Sequence, residues 1–202
     1  ARDPRPGGLS ESKLHLMLDW MARMESIVQG LLDFSRAQPL RRTQHDLSQT
    51  LGRAINLIDG RARQQNVTLD LQLIAPAVID GDAEQLHQVF VNLLINALDA
   101  MPGGGRLTVA MMRSANGMRV IFHDTGPGIP PAMLPRLFEP FATSKERGTG
   151  LGLAVSRRII DQHSGSLLGI NDPQGGATFT VDIPVAPDCC AAAARNHVEL
   201  AG

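Results

Sequence analysis

Apolar residues spaced three and four apart open the chain. Leu14, Met17, Met21, Met24, Val28 and Leu31 form one seam of a long helix predicted from Leu9 to about Ala37. Trp20, Ile27 and Phe34 widen that surface, so the helix needs partners to cover it. Pro39 ends it, and residues 39–46 read as a linker. A shorter helix follows over about 47–64, then a strand, "VTLDLQLI", and a second strand candidate, "AVID". Asp82 offers an N-cap, with Gln85 placed as in a capping box, for a helix running to about Ala100. "RLTVAMMR" and "MRVIFHD" flank "SANG" as a hairpin. The Gly/Pro-rich stretch 126–148, interrupted by "MLPRLF", is long for a loop in a compact domain and reads as a lid. A helix from about Gly150 to His163 and a last hairpin turning through "PQGG" complete the pattern, and 186–202 reads as a loose tail. Helices alternating with hairpins predict an α+β fold: a two-layer α/β sandwich, with one mixed sheet covered by helices on one face.

Charge changes this picture little. The 202 residues carry 19 Lys+Arg against 20 Asp+Glu, which argues against a general nucleic-acid binder. Cys189 and Cys190 are adjacent and read as free thiols of a reducing compartment. No apolar run approaches the ~20 residues of a membrane span, and no secretory signal opens the chain. The expectation is a cytoplasmic piece with no membrane contact of its own. The abrupt "ARDPRPGG" start reads as part of a longer protein.

Three stretches carry candidate chemistry. In "NLLINALDAM", Leu86, Phe90, Leu93, Leu94 and Ala97 share the apolar face of a helix, while Asn92, Asn96 and Asp99 form a polar stripe beside it. Asparagine is a mediocre helix former, so two of them one turn apart suggest a purpose beyond a solvated face. Amide oxygens suit Mg²⁺ that draws its other ligands from water and phosphates. In "HDTGPGI", Asp124 precedes Gly126 and Gly128, where backbone can approach a flat ligand closely. In "GTGLGL", Gly148, Gly150 and Gly152 lead into a helix whose first amides could seat phosphates. The spacing is not a Rossmann fingerprint, and no P-loop is present.

Taken in order, these motifs resemble the ATP-binding domain of sensor histidine kinases, in the superfamily shared with gyrase B, the Hsp90 chaperones and MutL. Asn92 and Asn96 match the N box, Asp124, Gly126 and Gly128 the G1 box, and Phe138 and Phe141 the F box. Gly148, Gly150 and Gly152 match the G2 box, and "GGATF" (Gly175–Phe179) the last nucleotide-lining motif. The likeness covers about 47–185, and "LLDFSR" before the linker matches the end of the second helix of a dimerisation hairpin. "NALDAM" and "FATSK" look most like the branch of nitrogen-regulatory and oxygen-sensing kinases.

The resemblance implies a Bergerat-type fold with residues 1–38 as a partial dimerisation region, 47–185 as the catalytic domain, and ATP and Mg²⁺ as cofactors. It implies that Asp124 meets adenine, that Asn96 and Asn92 hold Mg²⁺, and that Lys145 reaches the terminal phosphates. Asn92 and Lys145 would serve catalysis. Thr178 would support the adenine pocket, and the lining would extend to Asp99, Ile129, Phe141, Thr143, Ser144, Thr149, Leu151 and Leu153. Expected partners are a response-regulator receiver domain and the protein's own dimerisation helices, as a homodimer at full length.

Two other readings compete, a superfamily ATPase and a nucleotide-binding module without transfer activity. Where ATPase relatives place a water-activating Glu four residues before the Mg²⁺-binding Asn, this chain has Asn92, which cannot act as a general base. The stretch "HDLSQTL" imitates a phosphoacceptor box, but Thr50 stands where proline belongs and only one short helix follows His45. His45 therefore reads as a linker residue, and the acceptor is expected on a helix preceding residue 1.

Overall fold

The computed structural model describes residues 39–73, 76–143, 145 and 148–185, together with Leu14, Met17, Leu18, Trp20, Met21 and Met24. Those six are helical, and each is more than half exposed. The rest of the predicted N-terminal helix, the tail over 186–202 and Ser144 lie outside the described residues.

Asp46 caps the helix α1 (Leu47–Gln64). Its Oδ1 accepts from the Ser48 N–H at 2.9 Å and also from the Ala77 N–H at 3.1 Å, joining the cap to a distant segment. Leu47, Leu51, Ala54, Ile55, Ile58 and Ala62 recur at helical spacing and are buried. Arg61 and Arg63 occupy the last turn, where the helix dipole favours cations.

The segment read as a linker is partly a strand. β1 (Thr43–Asp46) pairs antiparallel with β3 (Val78–Gly81), with His45 opposite Ile79. Backbone pairing of "TQHD" is decided by the neighbouring strand rather than by the segment's own polar composition. This two-stranded ribbon stands apart from the main sheet, so the single-sheet expectation is also corrected.

The main sheet runs β2-β4-β5-β7-β6, comprising β2 (Val67–Leu73), β4 (Gly105–Ser114), β5 (Gly117–Asp124), β7 (Ala177–Pro184) and β6 (Ser166–Asn171). Only the β2–β4 pair is parallel, because β3 and the helix α2 (Ala83–Ala100) intervene between those strands. Strand alternation turns Leu107, Val109, Val120, Phe122, Phe179 and Val181 into one core with the buried faces of α1, α2 and α3 (Gly152–Gln162). Phe90 of α2 meets Phe122 of β5 at 5.9 Å between ring centres.

Asp82 caps α2 as expected, accepting from the N–H groups of Glu84 and Gln85 at 3.1 and 3.2 Å. The capping box is not reciprocal, however. Gln85 reaches the Asp82 carboxylate, while the Asp82 N–H goes to His163 Nε2 at 2.9 Å. His163 is buried, and its Nδ1 donates to the Ile159 carbonyl at 2.8 Å, so the neutral Nδ1–H tautomer satisfies both nitrogens.

The predicted lid is shorter than expected. A 3₁₀ turn at Leu134–Arg136 and the buried Leu137 seat the middle of 126–148 on the core. The Phe141 N–H bonds the Gly150 carbonyl at 3.0 Å, which ties the end of this segment to the approach of the next helix. Gly150 has φ +68°, and a Cβ there would lie 2.4 Å from the Phe141 carbonyl carbon, so the helix begins two residues later, at Gly152.

Candidate active site

A cavity of about 360 Å³ lies between α2, the segment after β5, the residues Ala142, Thr143, Lys145, Gly148 and Thr149, and the start of α3. Its two ends are built differently.

At one end, Asp124 closes β5 and is only 3% exposed. Its Oδ1 accepts from the Gly126 N–H at 2.9 Å and the Ala177 N–H at 3.4 Å, which leaves Oδ2 for a ligand. Burial pushes this carboxyl above the ordinary aspartate range, and the two backbone bonds offset only part of that. Gly176 (φ +87°) passes so close that a Cβ would sit 1.8 Å from the Asp124 carbonyl oxygen. Asn171, at the end of β6, clamps the facing loop: its Oδ1 accepts from the Ile129 N–H at 2.6 Å and its Nδ2 donates to the Ile129 carbonyl at 2.8 Å.

At the other end, Lys145 Nζ donates to Asn96 Oδ1 and to Asp99 Oδ2, both at 2.8 Å. Asp99 also pairs with Arg61 of α1 through Oδ1. Burial alone would raise the Asp99 carboxyl, but the hydrogen bonds and charges of Lys145 and Arg61 outweigh it and hold the group below its ordinary range. Asn92 Nδ2 donates to the buried Ser156 Oγ at 2.9 Å, fastening α2 to α3. A Cβ on Gly152 would meet Asn92 Oδ1 at 2.3 Å, so glycine is what lets α3 begin against this asparagine. α3 has no side-chain cap, and its first-turn N–H groups are free of intrahelical partners where Gly152 and Leu153 border the cavity.

Of the residues expected from the sequence, Asn92, Asn96, Asp99, Asp124, Gly128, Ile129, Thr143, Lys145, Gly148, Thr149, Gly150, Gly152 and Leu153 line the cavity. Gly126 stands behind Asp124 as a hydrogen-bond donor, and Leu151 is buried in the core. Phe141 is 61% exposed at φ +66° and turns away from the cavity, a left-handed conformation unusual for so bulky a residue. Thr178 also lies elsewhere. It pairs with His123 across β5–β7, and its hydroxyl meets His123 Nδ1 at 3.0 Å. Because side chains alternate along a strand, the residues of "GGATF" that line the cavity are Ala177 and Phe179, one step either side of Thr178. Ile95, Ala100, Pro130, Met133, Leu137 and Ala142 complete an apolar wall that the motif reading missed. Ile95 and Ala100 flank the Asn96–Asp99 stripe along the same helix, so the spacing already carried that signal.

A family model described as "Histidine kinase-, DNA gyrase B-, and HSP90-like ATPase" matches residues 81–187, more than half of the chain. Sporulation kinase E of Bacillus subtilis is 35% identical over 167 residues, covering 82% of this chain and 23% of that protein. The sensor protein FixL of Bradyrhizobium diazoefficiens is 36% identical over 182 residues, covering 88% of this chain and 36% of that protein. The chain thus spans well under half the length of these relatives. Among solved structures, the histidine kinase ThkA in complex with the response regulator protein TrrA superposes with a TM-score of 0.76 at 26% identity, over 92% of this chain and 54% of that one. Among the described residues no helix is long and apolar enough to cross a membrane.

Proposed function

The chain belongs to the family of histidine kinase-, DNA gyrase B- and HSP90-like ATPases, and from that premise we propose that it binds Mg-ATP and acts as the catalytic part of a sensor histidine kinase. The γ-phosphoryl group passes to a histidine on a dimerisation helix outside this chain, then onward to an aspartate of a response-regulator receiver domain. The single observation that carries this is one cavity holding a buried carboxylate at one end and an asparagine–lysine cluster at the other. Asp124 Oδ2 accepts from the adenine amino group. Lys145 and the first-turn amides of α3 hold the phosphates in place, and phosphoryl transfer asks mainly for positioning and charge neutralisation.

The donor set fits Mg²⁺ in a particular way. Among the described residues no group of three or more His, Cys, Asp or Glu converges on one point. The amide oxygens of Asn96 and Asn92 suit a Mg²⁺ that arrives with nucleotide phosphates and water. When bound, the ion would neutralise phosphate charge; the chain's part is to aim Asn96 Oδ1 into the cavity.

Asn92 bears on the choice among superfamily activities. Its amide is engaged with Ser156 and cannot abstract a proton from water, which favours transfer over hydrolysis. Of the described histidines, His45 lies in β1, where it pairs with Ile79, and His163 is enclosed; neither placement suits an acceptor on a dimerisation helix. A cytoplasmic setting and a full-length homodimer belong to the same reading.

The test is trans-phosphorylation: the chain, MgATP labelled at the γ-phosphate and a separate hairpin bearing an acceptor helix. Label on the hairpin is the expected result. Release of inorganic phosphate alone would instead indicate a hydrolase, and binding with neither a passive nucleotide module.

A further inference from the structure

We propose that Arg61, which lies outside every nucleotide-binding motif, is a positioning residue for the phosphate end of the site. It keeps Asp99 charge-balanced so that Lys145 can leave Asp99 for an incoming phosphate. The proposal rests on the reading of the cavity as an ATP site.

Each Asp99 oxygen has its own cation, Arg61 Nη2 on Oδ1 and Lys145 Nζ on Oδ2. Lys145 also sits on Asn96 Oδ1, so its ammonium is held by two acceptors of α2. Arg61 does not line the cavity and reaches it only through Asp99. A phosphate entering beside Lys145 competes with Asp99 for the ammonium. Once Lys145 turns to the phosphate, Asp99 would be an unbalanced carboxylate on the cavity wall. Arg61, fixed on the other oxygen, prevents that.

Without Arg61 two effects act in the same direction. Asp99 holds Lys145 more tightly, and it repels whatever phosphate arrives. Both grow with the number of phosphates. Neither involves Asp124, whose backbone partners lie at the opposite end.

Calorimetry of MgATP, MgADP and adenosine with the wild-type chain, Arg61→Gln, Arg61→Lys, Asp99→Asn and the Arg61→Gln/Asp99→Asn pair tests this. Arg61→Gln should weaken MgATP about fivefold, MgADP less, and adenosine not at all. Arg61→Lys should restore most of the MgATP affinity, and Arg61→Gln should add nothing in the Asp99→Asn background. Equal losses for adenosine and MgATP would overturn the proposal, since they indicate an ion pair that merely braces α1 against α2. A full Arg61→Gln effect in the absence of the Asp99 charge would overturn it as well, as would an unchanged MgATP affinity. If the wild-type chain fails to bind MgATP, the ATP reading falls and this proposal with it.

Discussion

The two ends of the cavity hold their polar groups by different means. Around Asp124 the contacts are backbone to side chain, they come from the turn after β5 and the start of β7, and the carboxylate is buried. Around Lys145 they run side chain to side chain, between groups with exposures of 30–41%. Fixed backbone donors require no side chain to be frozen in place, so the first end is preorganised by the fold itself. The second can exchange partners at small cost, because solvent screens each pair. One end can therefore select a ligand's shape while the other responds to its charge.

A matched pair of glycine substitutions tests that contrast most severely. The Cβ of Gly176→Ala would fall 1.8 Å from the Asp124 carbonyl oxygen, on backbone held at φ +87°. The end of β5 and the bend leading into β7 have no flexible side chain there to give way, and a loss of about 3 kcal/mol in urea denaturation is expected, together with nucleotide binding. The Cβ of Gly148→Ala would meet the Thr143 Oγ1 at 2.5 Å, a hydroxyl on an exposed loop that can rotate away. Its cost should stay within about 0.5 kcal/mol. Comparable losses in the two variants would show that the loop is as fixed as the sheet.

Next in size is a pair of charge removals. Asp124 ionises in the folded state only above its unfolded pKa, so its contribution to stability is fully present below about pH 3.8 and is lost as pH rises through the folded value. At neutral pH its charge is a cost. Asp124→Asn keeps Oδ1 for the Gly126 and Ala177 N–H groups and removes that cost, so the melting temperature should hold or rise. Adenosine and MgATP should both weaken by roughly tenfold or more, since the ligand's acceptor is gone. Lys145→Met should leave stability and adenosine untouched and weaken MgATP about tenfold. An Asp124→Asn chain that melts lower and still binds adenosine would reverse the assignment of both ends.

What the sequence disclosed follows the same division. The polar stripe of α2 and the glycine run before α3 were legible because helical spacing and glycine chemistry are local properties. β1 was not, since "TQHD" becomes a strand only through β3, more than thirty residues on. Thr178 shows a finer limit: a motif locates a strand but not which face a given residue takes, and a one-residue offset reverses it. Arg61 carries no local signal at all; its meaning comes from Asp99, thirty-eight positions away. Nor did the sequence mark Asn171, whose amide imitates a strand partner for Ile129.

The smallest expected effect concerns what supports the preorganised half. His163 fixes the base of α2 by accepting the Asp82 N–H at Nε2 and donating from Nδ1 to Ile159, and the first of these bonds requires the neutral ring. Burial holds its pKa below the usual histidine range; Arg42 and His45 add to that, while the Ile159 bond and Asp82 oppose it. Its contribution to stability is thus fully present above the unfolded value of about 6.5 and is lost as pH falls through the folded one. A single proton limits the slope to about 1.4 kcal/mol per pH unit. Urea midpoints should therefore be level from pH 8 to 7 and decline below pH 6.5, ahead of the carboxylates Asp46, Asp82 and Asp99, whose depressed pKa values defer their losses to more acidic pH. His163→Gln should be less stable throughout but lack that decline. If the variant keeps the same decline, the titrating group lies elsewhere, and α2 does not depend on His163 for its seating.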